Sequence, residues 1–268
     1  MRVETSFPRT TVAQREGRLR AWFTAGLEPL QKVVDGLDIG WGGVQRWATA
    51  RMQPVEGLHL DFACGYATFL AQLGWRFPTA QLVGLNIDFA GPHALARPLL
   101  AEAGVPASLV RADARRMPFA NGSFDSASCF LGLQDVEIGF GDDGVQAVMA
   151  ESVRVLSAGG VLTLLDEFPF ERLEALLVGL PVRVTDRADR GLDVRWDRQA
   201  AEQAVALYAE GWTAQAGVED EAERKQIACQ AHRRMAAEME CQLDTQGYYA
   251  PFGPVRMVVA IRSLAKIG

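Results

Sequence analysis

Apolar positions along the chain follow two alternating rhythms. In LHLDFACGYATFL, Leu58, Leu60 and Phe62 have the density of a strand packed on both faces. Ala63, Gly65 and Ala67 then keep Cβ bulk low before an amphipathic helix begins, so a ligand could lie against bare main chain. Downstream, Gln81–Asn86 (QLVGLN) reads as a strand, Phe89–Ala103 as a helix, Ala107–Arg111 as a short strand, and Phe124–Leu131 as another strand. Gly144–Leu156 reads as a helix, Ser157-Ala158-Gly159-Gly160 as its stop with the glycines as C-cap, and Val161–Leu165 as the next strand. Strands alternating with helices are βαβ units, and these imply a parallel sheet.

The flanks read differently. Residues 12–52 are helical in pattern, with Trp22, Leu27, Leu30, Val34 and Trp47 as anchors and interruptions at Gly40, Gly42 and Gly43, which predicts an N-terminal helical cap over residues 1–52. Strand-like Val182–Thr185 leads into two helical stripes, Ala201, Val205, Tyr208 and Trp212, then Ile227, Ala231, Met235 and Met239, before a final strand Val255–Ile261. The expected organisation is one domain over residues 1–268, with residues 190–250 a helical lid inserted before the last strand. The acidic run Glu219, Asp220, Glu221 and Glu223 complements a helix N-terminus.

At 268 residues and 49% apolar content the chain buries a sizeable core. Its net charge of −6 lacks the basic footprint that nucleic-acid binding draws on, so a small molecule is the expected partner. Cys64, Cys129, Cys229 and Cys241 form no CxxC pair, which argues against a zinc knuckle or disulfide framework and for reducing cytoplasm. MRVETSFPRT has no apolar leader core and no stretch reaches the roughly 20 apolar residues of a membrane span, so the chain is expected to be unprocessed, soluble and cytoplasmic, a monomer or homodimer.

Four segments in order, LDFACGYA, VGLNID, RADARRMPFANGSFDSASCF and VLSAGGVLTLLD, resemble the class I S-adenosylmethionine-dependent methyltransferases, in particular the small-molecule branch. The likeness covers roughly Gly57–Phe168, and Met117-Pro118-Phe119 with Ser123-Phe124-Asp125 is its most specific part. It implies a Rossmann-like α/β fold with a seven-stranded, mostly parallel sheet. By the same resemblance Asp61 approaches the ammonium of S-adenosylmethionine, and Ala63, Cys64, Gly65 and Ala67 pass beneath its methionine portion. Asn86 stands where the family usually has an acidic residue on the ribose hydroxyls; it accepts and donates there without a charge-assisted bond. Asp88 either adds that charge or caps a helix. Asp113 and the N–H of Ala114 face the adenine, Ile87 and Met117 flank it, and Phe130 and Leu133 line the sulfonium end. Trp41 is either a wall over the sulfonium or a helix-packing residue.

The implied function is methyl transfer from S-adenosylmethionine to a small organic acceptor, giving S-adenosylhomocysteine, by in-line displacement with orientation as the main device. The alternative is a cofactor-binding protein of the same fold that runs another reaction or acts as a sensor. Candidate substrate-facing residues are Gln134, His232 and Tyr249, with Asp135, Asp166 and Glu167 at the same strand ends. Many relatives carry a His pair where this chain has Gln134 and Asp135. Tyr248, Tyr249 and Phe252 either pack a planar substrate or form the hinge of the insertion. His93 reads as exposed at a helix start and His59 as structural. Asp135, Asp142, Asp143 and Asp166 offer hard oxygen ligands, but Gly141-Asp142-Asp143-Gly144 reads first as a helix N-cap, so no metal is expected.

Overall fold

The computed structural model describes residues 11–25, 43–191, 195–215, 221–250 and 253–263. Trp41, with Leu27, Leu30, Val34, Gly40, Gly42, Glu219, Asp220 and Phe252, lies outside the described residues. The strands β1 (Leu58–Phe62), β2 (Gln81–Asn86), β3 (Ala107–Arg111), β4 (Phe124–Phe130), β5 (Leu156–Asp166), β6 (Val182–Arg190) and β7 (Val255–Arg262) form one sheet in the order β3-β2-β1-β4-β5-β7-β6. β1 to β5 run parallel, and β7 lies antiparallel between β5 and β6. This is the expected seven-stranded, mostly parallel sheet.

Period-two alternation divides the core between the two faces. Leu60 and Phe62 of β1, Ala127 of β4 and Leu162 of β5 face Val145, Val148 and Met149 of α5 (Leu133–Val155) and Leu173 of α6 (Phe170–Ala175). The opposite face is covered by α1 (Val12–Ala25), α2 (Gly43–Arg51), α3 (Thr68–Arg76) and α4 (Ala96–Ala103), through residues such as Leu19, Val44, Phe69 and Leu99. The buried Glu16 of α1 binds both Arg46 of α2 and Gln72 of α3, tying the first helix to the sheet domain.

Four boundaries differ from expectation. Ser157–Gly160 is not a helix stop but part of β5, where the register shifts between Phe124 and Ser126 and Gly159 takes φ 80. Glycine permits that irregularity inside a paired strand. β6 continues to Arg190 although its apolar pattern ends at Thr185, because an edge strand needs only its ladder with β7 and tolerates charged outer residues. The helix expected from Phe89 opens as a 3₁₀ turn over Gly91–Leu95, with Pro92 in its first positions. The helix expected from Gly144 starts at Leu133, and α5 breaks at Gly141 (φ 65, ψ −171), the first residue of the segment in which a cap is expected.

Between β6 and β7 the chain forms α7 (Arg198–Gln215) and α8 (Glu221–Gln246), which pack on each other around Trp196, Ala201, Val205, Met239 and Tyr249. Trp196 and Tyr249 close the base of this pair by exchanging two main-chain hydrogen bonds of 2.9 Å.

Candidate active site

The chain leaves β1 toward β2 on one side and leaves β4 toward β5 on the other, so the loops beyond these adjacent strands part and open a crevice at their carboxyl ends. The β1 loop reaches α3 through alternating left-handed residues, Ala63 (φ 54), Gly65 (φ 48) and Ala67 (φ 63). For alanine that backbone costs about 1–2 kcal/mol per residue. Packing offsets it: Ala67 is fully buried, its N–H donates to Cys64 O at 2.7 Å, and Cys64 N donates to Leu85 O at 3.0 Å. Strained backbone held in this way is typical of ligand-contacting turns.

Asp61, just before the turn, is 1% exposed. Its Oδ1 accepts from the Ser128 hydroxyl at 2.7 Å, and Oδ2 has no hydrogen-bond partner, the one such buried side-chain atom among the described residues. Burial pushes the carboxyl up to about 7, with the Ser128 hydrogen bond opposing. Burial, and Asp61 beside it, also push the Cys64 thiol well above its ordinary range, so it stays neutral and inert.

At the end of β2, Asn86 donates from Nδ2 to Asp88 O at 2.6 Å and lies 3.2 Å from His93 Nδ1. Asp88 accepts from Ala90 N at 2.7 Å, closing the turn. His93 was expected to be exposed; the 3₁₀ turn instead folds it back over the β1 loop, where a Cβ at Gly65 would lie 3.8 Å from its Nε2 and where its ring meets Tyr66 edge-on. Burial lowers its basicity, so it favours the neutral form. His93 and Tyr66 are therefore crevice residues that the sequence reading missed; the motif spacing contains no signal for them.

At the end of β3, both Asp113 carboxylate oxygens are held by Arg115, through its main-chain N at 2.8 Å and side-chain contacts of 2.6–3.1 Å. These contacts keep the Asp113 carboxyl below its usual range, while the Arg115 guanidinium covers the Phe140 ring. Ala114 is buried behind it, and Ile87 is 49% exposed, free to cover a flat ligand. Met117, expected to flank the same ring, is only 4% exposed within the α5-side core.

Beyond β4, Phe130 stacks on Phe69 at 4.8 Å between centroids and Leu131 takes φ 54. Leu133 does not line the crevice by its side chain, which is fully buried; its N–H donates to Asp166 Oδ2 at 3.2 Å. Asp166 also accepts from the N–H groups of Glu167 and Phe168, so it closes the loop after β5 and carries a carboxyl raised by burial to about 6. Gln134 Nε2 donates to Glu167 Oε2 at 3.3 Å, and burial raises Glu167 to about 7.

The two candidate residues from the insertion have opposite surroundings. The Tyr249 ring is 2% exposed inside the α7–α8 core, with its phenol pushed up to about 12 by burial, and His232 lies exposed on α8. A hydrophobic stripe locates a helix face but not the body it packs against. Asp142 pairs with Arg172 at 2.6 Å, and among the described residues no cluster of three or more His, Cys, Asp or Glu is arranged to hold a metal ion.

Comparison with known proteins bears on this geometry. Residues 60–164 match the family described as "Methyltransferase domain". The demethylmenaquinone methyltransferase of Thermus thermophilus is 33% identical over 135 residues, 50% of this chain and 56% of that protein. Its namesake from Deinococcus radiodurans is 33% identical over 139 residues, 50% and 52% of the two chains. The chain thus spans about half the length of the curated relatives it matches. Among solved structures, a Bacillus halodurans protein (TM-score 0.53, 16% identity, 82% of this chain and 98% of that one) and the [4+2]-cyclase SpnF (TM-score 0.51, 15% identity, 82% and 79%) share the fold. Among the described residues, no helix is long and apolar enough to cross a membrane.

Proposed function

We propose that this chain, whose residues 60–164 match the methyltransferase domain family, is a class I S-adenosylmethionine-dependent methyltransferase that transfers the methyl group of S-adenosylmethionine to a small organic acceptor. The observation that carries this reading is the buried, unpartnered Oδ2 of Asp61 beside three left-handed residues at the switch point. A buried carboxylate oxygen without a donor is costly, and an ammonium N–H is the donor that suits it best. The residues present therefore fit the amino-acid end of the cofactor.

In this reading Asp61 accepts from the ammonium, and the main chain of Ala63–Ala67 supports the methionine portion. Asn86, whose Nδ2 is committed to Asp88, offers its Oδ1 to a ribose hydroxyl. Asp113 and the Ala114 N–H meet the adenine, with Asp113 shared between ligand and Arg115. Ile87 covers one ring face, and Phe130, with the main chain of Leu133, bounds the sulfonium end. Bound S-adenosylmethionine supplies an electrophilic methyl group. The chain's own contribution is orientation and exclusion of water, for which α7 and α8 serve as lid and α1 and α2 as cap. Gln134 orients the acceptor, and the name shared by the curated relatives supports a small organic molecule in that role.

Titration calorimetry with S-adenosylmethionine and S-adenosylhomocysteine tests the cofactor: binding of both is expected, and binding of neither sinks the proposal. Turnover of S-adenosylmethionine across a panel of phenols, amines and thiols then tests the reaction, and cofactor binding without turnover of any of them would point to a sensor instead.

A further inference from the structure

Asp61 ends a row of four polar side chains on one face of the sheet. Strand register sets His59 opposite Ser126 and Asp61 opposite Ser128, and alternation points all four the same way. His59 Nδ1 lies 2.7 Å from Ser126 Oγ, His59 Nε2 lies 2.9 Å from Ser128 Oγ, and Ser128 Oγ donates to Asp61 Oδ1 at 2.7 Å. All four are buried.

The hydrogen inventory gives this row a direction. Burial lowers His59 to about 3, so its ring is neutral and carries one proton. Ser128 has a single proton, committed to Asp61; its oxygen must therefore accept from Nε2–H, which leaves Nδ1 to accept from Ser126. Each donor in the chain thus points toward Asp61. Four apolar side chains would fill this sheet face without desolvating any polar group, so packing alone does not call for the arrangement. At its far end Ser126 borders a cavity of about 190 Å³, lined also by Met52, Val55, Glu56, Asp125 and Thr163, with room for water.

We propose that His59, acting through Ser128, is a positioning residue for Asp61: the chain holds one carboxylate oxygen and presents the other, ionised, to the ammonium of an amino-acid-bearing nucleoside. This rests on the cofactor reading above. The groups that face Asp61 among the described residues are His59 on its own strand, Cys64 in the following loop, and Ser128 and Cys129 on β4. Both thiols are held neutral by burial, and His59 is neutral throughout the usual range. Asp61, raised to about 7, is therefore the member of this group whose charge changes near neutrality. Affinity for an ammonium should fall as pH drops through that range, because the protonated carboxyl loses its attraction.

The test is calorimetry from pH 5.5 to 8.5 with S-adenosylhomocysteine and, as control, 5′-deoxy-5′-methylthioadenosine, which lacks the amino-acid portion. Affinity for the first should rise with pH and level off, while affinity for the second should lack that rise. Ser128→Ala and His59→Leu remove support for the ionised form, so each should move the midpoint up by roughly half to one pH unit and weaken S-adenosylhomocysteine at pH 7 about twofold to sixfold. Ser126→Ala, at the far end, should shift it in the same direction by less, and serves if His59→Leu does not fold. Melting curves that fall with an unmoved midpoint would reduce the chain to a structural role and overturn the proposal, as would pH-independent S-adenosylhomocysteine binding. Failure of both ligands at every pH would instead overturn the cofactor reading, and this proposal with it.

Discussion

Replacing Asp61 with asparagine is expected to weaken S-adenosylhomocysteine binding roughly 10- to 100-fold at pH 8 while making the ligand-free protein more stable at the same pH. Asparagine keeps the shape and still accepts from Ser128, but it sets an N–H₂ group where Oδ2 stood, and that group cannot accept from an ammonium. A hydrogen bond to a charged group contributes about 1.5–3 kcal/mol, which gives the range stated. The stability effect has the opposite sign. Asp61 titrates near 7 in the folded protein against an ordinary 3.8, so the folded state binds its proton more tightly. That contribution is fully present below about pH 4 and is lost as pH rises through about 7. Asparagine, always neutral, escapes the loss, which amounts to at most about 4 kcal/mol at pH 8 and vanishes in acid. Denaturant melts at pH 5 and 8, paired with calorimetry at pH 8, measure both halves. Unchanged affinity would remove Asp61 from the binding site, and a variant less stable at pH 8 would contradict the buried charge.

Gly132→Ala is expected to cost about 1–3 kcal/mol of stability and to weaken the cofactor several-fold. Its φ of −106 suits any residue, so the objection is space alone. A Cβ there would lie 2.6 Å from the Ala63 Cβ, 3.0 Å from Cys129 Sγ and 3.1 Å from Ala63 O. The β4 loop would then press on the left-handed β1 turn, the surface assigned to the methionine portion. Gly139→Ala is the control: it lies within α5, which Gly132 caps, has nothing within 4 Å and should be neutral or stabilising by up to about 1 kcal/mol. Chemical denaturation of both variants decides it. A Gly132→Ala loss below about 1 kcal/mol with unchanged cofactor affinity would mean that the poorer N-cap, and not contact with Ala63, sets the outcome.

Much of the sheet was legible because buried parallel strands carry apolar character that repeats with their period. β2 and β3 match their expected bounds, and β4 and β7 differ by a single residue at one end. The apolar pattern of β6 is shorter than the strand because its outer half is charged, and a main-chain ladder leaves no trace in side-chain polarity. The SAGG segment is ambiguous by pattern, because glycine serves a helix end and a strand irregularity equally well. In the site, the β1 turn could be read from its small residues, whereas His93 and the His59–Ser128 pair could not. Their partners lie 7 and 69 positions away and meet only when strands register.

By itself the sequence determined the order of the strands, the small-residue turn after Asp61, and the polar residues Asn86, Asp113 and Asp166 at or beyond the ends of β2, β3 and β5, because each depends on local pattern. Tertiary structure alone decided which of these groups are free to act. Burial left Asp61 with an unpartnered oxygen, Arg115 took both oxygens of Asp113, loop N–H groups took Asp166, and the helical pair enclosed Tyr249. Partnership and desolvation are properties of neighbours in space, and the linear chain does not record them.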